Sequence, residues 1–324
     1  MAEYKGIVGT KIRNYTTNPD NPITGEVWYN ETDQVLKFQY PNTTTAGSWA
    51  TNPSLNTARA DLGGGGIYTS ALAFGGDKPP GRTGETESWN GSSWTEVNDM
   101  STARRFPGST GSSNTNAIAF GGDSGPKFGN TESWNGSNWT EVNDLNTTRT
   151  QLAGSGAGQT NTAALSFGGD NTSSSLTATE SWNGTNWTTL TSLSSARNNF
   201  QGSGTNTSTI AAGGQTPSLS PEYTLTTEFW ANDIAVGAWT TENSINTARK
   251  SLAGAGTSNT AALAYGGSGP PTYALTESYN GTNWTEVNDL NAAKTSMGCA
   301  GSYTAAISFG SGGASTDTEL WNGT

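Results

Sequence analysis

From residue 54 onward the hydrophobic positions come in short bursts, most of which end in glycine or in Asn-Gly. The stretch TESWNGSSWTEVNDMSTAR, residues 86 to 104, sets the pattern, and near-copies return at 131 to 149 and at 276 to 294. Short alternating runs bounded by tight-turn dipeptides predict strands joined by hairpins, and no helical spacing of apolar residues competes with them.

Three landmarks set the period. A basic residue recurs at Arg59, Arg104, Arg149, Arg197, Arg249 and Lys294, with spacings of 45, 45, 48, 52 and 45. A double glycine closes an apolar run at Gly76, Gly122, Gly169, Gly214 and Gly267, and a degenerate sixth copy reads ISFGSGG over 307 to 313. A glutamate two residues before an aromatic follows at Glu87, Glu132, Glu180, Glu228, Glu277 and Glu319. Six units of about 45 residues with four candidate strands each predict an all-β chain folded as a six-bladed β-propeller. The first strand of each unit is glycine-rich, which suits the crowded axis of such a ring.

The sixth unit stops after its third strand, ELWNGT, whereas the others continue to Trp94, Trp139, Trp187, Trp239 and Trp284. Trp49 lies 45 residues before Trp94, so residues 48 to 51 are expected to supply the missing outer strand and close the ring.

The apolar-Gly-Gly strand, the aromatic-Asn-Gly turn, the following Trp and the Leu/Met-x-x-Ala-Arg segment resemble the kelch repeat family over residues 46 to 324. The third strands depart from it in reading SWNG where Tyr-Asp is more usual. Residues 1 to 45 lie outside the repeat. There, EVWYN and VLKFQY flank ETDQ and predict a β-hairpin with aromatic faces, its anchoring side chains being Trp28, Tyr29 and Phe38. So small a hairpin must dock on something, either its own propeller or a partner. The opening MAEYKGIVGTKI and the hairpin resemble N-terminal segments of structural proteins of tailed phages, marine ones in particular. That resemblance implies a virion protein, assembled in the host bacterial cytoplasm, held to other virion proteins through residues 1–45; a homo-oligomer is compatible with it.

Composition narrows the partners. Fifteen Lys+Arg against 26 Asp+Glu give a net charge of −11, which disfavours nucleic acid and anionic membrane surfaces. The N-terminus lacks an apolar signal region and no apolar run reaches membrane-span length, so neither export by a signal peptide nor membrane insertion is expected. Triplets such as those at Asn90 and Asn138 are therefore expected to be turn chemistry rather than glycan acceptors. Histidine is absent, which argues against the copper sites of kelch-like radical oxidases and against common zinc or iron sites, so no metal or cofactor is expected; a calcium site is left open. Cys299 is the single cysteine; a small buried residue is expected there, with a reactive thiol as the sharper alternative.

Each unit carries one Arg or Lys and one Glu at repeat positions, so an ion pair repeated around the ring accounts for both charges; an axial anion-binding ring is the alternative. Recognition is expected on the loops after the second strands, which vary most and carry Lys78, Arg82, Lys127, Phe128, Tyr223 and Tyr273. Solvated loops without a ligand are the plainer reading of the same residues. The chain is thus expected to be a non-enzymatic decoration or host-attachment protein contacting a surface glycan or protein. A sialidase-like glycan-processing enzyme, suggested by Gly-x-x-Trp at Gly91 to Trp94 and Gly184 to Trp187, and a cytosolic kelch-type adaptor are the alternatives.

Overall fold

The computed structural model describes residues 13–16, 27–38, 47–157, 159–171, 173–216, 222–232 and 237–323. The chain divides into two compact units, Met1–Thr45 and Ala46–Thr324. In the first, Val27–Asn30 and Val35–Phe38 form an antiparallel hairpin with Asn30 opposite Val35. Arg13–Tyr15 adds to its edge as a parallel strand, a pairing that the hairpin pattern alone did not suggest. Asn30 Oδ1 accepts from Asp33 N at 2.9 Å and so shapes the turn.

The second unit is a six-bladed β-propeller, and each blade is an antiparallel sheet whose chain runs from the innermost strand outwards. Blade 1 consists of Gly63–Ile67, Ser70–Phe74, Thr86–Trp89 and Trp94–Val97. Blade 6 takes Gly298–Ser302, Ala305–Phe309 and Thr318–Trp321 from the end of the chain, and its outer strand is Trp49–Asn52, with Trp49 opposite Trp321. The expected closure is therefore present. It joins positions 272 residues apart and leaves the ring no missing outer strand.

The core lies between blades rather than inside them. Six apolar layers repeat, one for each neighbouring pair; between blades 1 and 2, Leu72 and Phe74 meet Met100, Trp134 and Trp139. The fourth-strand tryptophan packs edge-on against the second-strand aromatic of the preceding blade, as Trp139 does on Phe74 at 4.9 Å. Such a contact adds about 0.5–1.5 kcal/mol to the area buried. Its indole Nε1 also donates to a threonine on the third strand of that blade, Trp139 to Thr86 at 3.0 Å and Trp187 to Thr131 at 3.1 Å. One residue type thus supplies both the apolar and the polar link across five of the six seams.

The double glycines hold the second link. Gly75 and Gly76 have φ of 64° and 108°, and a Cβ on Gly75 would come within 2.7 Å of the Arg104 carbonyl oxygen. Only glycine fits where the chain must turn left-handed this close to the next blade. Gly76 N then donates to Arg104 O at 2.7 Å, and the same bond recurs from Gly122 to Arg149 and from Gly169 to Arg197.

Two places break the symmetry. The innermost strand of blade 3 divides after Ala153–Gly154, and Gly156–Ala157 pairs in parallel with the innermost strand of blade 2. At the seam of blades 4 and 5, Ala212 stands where other blades have Phe or Tyr, and Tyr279 stands where they have Trp. There Trp284 Nε1, Thr227 Oγ1 and Tyr279 Oη are buried without a hydrogen-bond partner among the described residues. Phe229 takes over part of the aromatic packing, meeting Tyr279 at 5.2 Å.

Candidate functional site

Antiparallel pairing puts the second-to-third and fourth-to-first connections at one end of the propeller. That face carries both sets of residues singled out from the sequence.

The repeated basic residues lie beneath it. Arg59, Arg104, Arg149, Arg197 and Arg249 have no exposed surface and Lys294 is 4% exposed. Arg59 pairs with Glu87 at 2.8 Å, Lys294 with Glu319 at 2.6 Å, and Arg104, Arg149, Arg197 and Arg249 with Glu132, Glu180, Glu228 and Glu277. Each guanidinium also donates to backbone carbonyls; Arg104 Nη1, for example, reaches Gly121 O at 3.1 Å and Asn130 O at 2.7 Å. Burial pushes Arg59, Arg104, Arg149 and Arg197 below the usual arginine range, and the paired glutamate opposes this in each case. These cations are committed inside the blades and none reaches solvent at the mouth.

The six loop candidates are spread round the rim rather than gathered at one point. Lys78 pairs with Glu85, and Arg82 reaches across the seam to Asp123 at 2.6 Å. Arg105 bridges the same seam, with Asp77 at 2.8 Å and Asp123 at 3.3 Å. Lys127 crosses to blade 3 and holds Asp170 at 2.6 Å. Phe128 lies 4.9 Å from the Arg104 guanidinium and covers it, while Tyr223 carries the Lys250 ammonium at 5.4 Å. Tyr273 is half-buried, its amide held by Gly267 O at 2.9 Å. Between blades 2 and 4 lies an open polar groove of about 720 Å³ lined by Lys127, Asp170, Ser173, Asn198 and Gln215 among others. Tyr29 is half-buried in its own sheet strand, and the side chains of Trp28 and Phe38 lie outside the described residues.

Sequence reasoning did not single out a second ring. Two residues after each repeated cation stand Asp61, Phe106, Gln151, Asn199, Ser251 and Ser296, all left-handed with φ of 51–56°. Each amide donates to the carbonyl of the preceding member, Phe106 to Asp61 at 2.8 Å and Ser251 to Asn199 at 2.7 Å. Asp61 donates to Ser296 at 3.0 Å, so the six bonds form a closed circle around the axis. The residues line a depression of about 50 Å³, and the next residue of each blade, including Leu62, Leu152, Phe200 and Met297, makes its apolar floor. The signal for these positions was available: they vary in chemical type at a fixed place between the repeated cation and an apolar residue, Leu62, Pro107, Leu152, Phe200, Leu252 or Met297.

Asp61 is the one ionisable member of this ring. Burial pushes its carboxyl up to about 6, helped by Asp77 and Asp123 and opposed by a Ser296 hydrogen bond and by Arg105. Its Oδ1 is buried and without a hydrogen-bond partner among the described residues. Among the described residues no group of three or more His, Cys, Asp or Glu is placed to hold a metal ion. Burial pushes the Cys299 thiol up, the reverse of an activated cysteine.

Compared with known proteins, the sequence matches no family model and no curated protein.

Proposed function

We propose that this chain is a non-enzymatic virion structural protein of a tailed phage. Residues 1–45 hold it to other virion proteins, and the kelch-like propeller is displayed for decoration or for attachment to a host-surface glycan or protein. The resemblance of the repeat landmarks and of the N-terminal segment supports the assignment. The observation that carries the choice against a sialidase-like enzyme is the state of the repeated arginines: each is buried and shared between a glutamate and backbone carbonyls. An arginine that must grip a substrate carboxylate has to be accessible, and these six cations are structural instead. Arg82, Arg105 and Lys127, which do reach the surface, tie blade to blade and stiffen the loop face as a platform.

The test is retention of the purified full-length protein on bacterial envelope polysaccharide, run beside a panel of fluorogenic glycosides. The proposal expects retention without turnover. Robust glycoside hydrolysis that is lost on substituting surface acidic or basic residues would overturn it.

A further inference from the structure

We infer that the axial depression is a binding site for a neutral hexose at the end of a glycan chain. The choice of ligand rests on the attachment reading above; the site itself rests on four observations.

The backbone of the ring is self-satisfied. All six amides that circle the axis are used by carbonyls of the same ring, so a ligand finds no free backbone donor there and donors must come from side chains. Those side chains are one carboxylate, two amides, two hydroxyls and one phenyl group, carried by Asp61, Gln151, Asn199, Ser251, Ser296 and Phe106. Sugar hydroxyls need both donors and acceptors, which this set supplies, and the apolar floor offers a surface to the C–H face of a pyranose. The third observation is Asp61, which is partly exposed in the depression while its Oδ1 lies buried without a partner among the described residues. An orphaned buried acceptor costs about 1–3 kcal/mol, and turning the carboxyl so that this oxygen meets a ligand hydroxyl would remove that cost.

The fourth is conformational. Glycine adopts the left-handed region without strain, and the chain has 43 glycines, yet none occupies these six positions. A purely structural ring would be most stable with Gly or Asn throughout. Retaining Phe106 and Gln151 there costs stability, the usual mark of positions kept for their side chains.

Charge selects the class of sugar. Asp77 and Asp123 are matched by Arg82 and Arg105, which leaves the Asp61 carboxyl as the unmatched charge at the mouth of a chain carrying −11 overall, so a neutral sugar is favoured over an acidic one. Arg105, with its guanidinium 5.1 Å over the Phe106 ring, weakens the site for an ammonium group.

Saturation-transfer NMR and calorimetry on the full chain test this with the methyl glycosides of glucose, galactose, mannose and fucose, and with methyl sialoside as the acidic probe. At least one neutral glycoside is expected to bind with a Kd of about 0.1–10 mM, and the sialoside not at all. Asp61→Asn and Phe106→Asn both tolerate a left-handed backbone, and each is expected to weaken binding at least about tenfold with an unchanged near-ultraviolet dichroism spectrum. Ser173→Ala in the outer groove should leave it unaltered. Absence of saturation transfer from every neutral glycoside, or binding that survives both axial substitutions, overturns the site. Retention on envelope polysaccharide that ignores Asp61→Asn sinks the axial site and spares the attachment reading; glycoside binding without any such retention does the reverse.

Discussion

Replacing the buried pair Arg149–Glu180 by apolar residues should destabilise the propeller even when both charges are removed together. For an isolated buried ion pair the opposite is common, because losing two desolvated charges offsets losing their attraction. Here the two side chains are also the partners of the backbone. Arg149 Nη1 donates to Ala178 O at 2.7 Å and to Gly168 O at 3.3 Å. Glu180 accepts from Asn146 N at 2.8 Å and from Thr147 N at 3.3 Å. Ala178 O keeps its bond from Gly168 N at 3.0 Å, so Arg149→Met with Glu180→Leu orphans the Gly168 carbonyl and two amides, at about 1 kcal/mol or more each. The double substitution should cost about 3 kcal/mol or more. Glu180→Gln alone leaves an unmatched guanidinium in a site with no solvent access and should cost about 3–5 kcal/mol. With an unfolding entropy of about 2.1 cal/mol/K per residue, a body of this size loses about 2 °C for each kcal/mol, so the double variant should melt about 6 °C or more and Glu180→Gln about 6–10 °C below the parent. Calorimetry at neutral pH measures this. A double variant melting within about 2 °C of the parent would show that the pair supports little beyond itself, and the structural role of the ring of cations would fall.

Four further outcomes follow from the same geometry. Tyr279→Phe removes a buried hydroxyl that has no partner and should raise stability by about 1 kcal/mol by denaturant titration, whereas Tyr279→Ala should lower it by about 3 kcal/mol or more. Stability should fall as pH rises through about 6, because the Asp61 carboxyl is held above its ordinary 3.8; the contribution is fully present below about pH 3.8 and amounts to about 3 kcal/mol at most. Asp61→Asn should therefore melt higher than the parent at about pH 7.5 and equally at about pH 3.5, and a constant difference across that range would refute the assignment. Deleting residues 45–53 removes the outer strand of blade 6 and should leave a chain that aggregates on light scattering; an unchanged melting curve would contradict the closure. A chain starting at residue 46 should be monomeric by mass while the full-length protein is multimeric, if residues 1–45 are an assembly device.

The propeller was legible in the sequence because each landmark does one mechanical job six times. The double glycine turns where a Cβ would strike the next blade, the tryptophan spans the seam, and the arginine and glutamate sit where loops need polar partners. The upstream closing strand was legible for the same reason, since Trp49 keeps the 45-residue step. The candidate site was less legible. Charged loop residues such as Arg82 and Lys127 look available in a sequence, but Asp123 and Asp170 stand across the seam, and that juxtaposition depends on how neighbouring blades are rotated. The axial ring escaped because its members share a backbone conformation, not a residue type. Spacing finds what repeats; these positions are where the repeat lets the side chain change.

That division has a physical basis. Between the cations and the inner strands, the chain satisfies its own backbone: Arg104 O accepts from Gly76, Phe106 N donates to Asp61, and Gly108 begins the next inner strand. The side chain of the middle residue takes no part in these backbone bonds. A ring closed by six amide-to-carbonyl bonds keeps those bonds whichever side chains it carries, so substitution there leaves the scaffold in place. The seam between blades 4 and 5 shows the converse. There the changes fall on landmark positions, Ala212 for an aromatic and Tyr279 for tryptophan, and each leaves a buried polar atom unpaired or a ring contact to be made good by Phe229. Variation that touches the landmarks weakens the ring, so this seam should open first in native-state hydrogen exchange, and variation that touches the axial six leaves it whole.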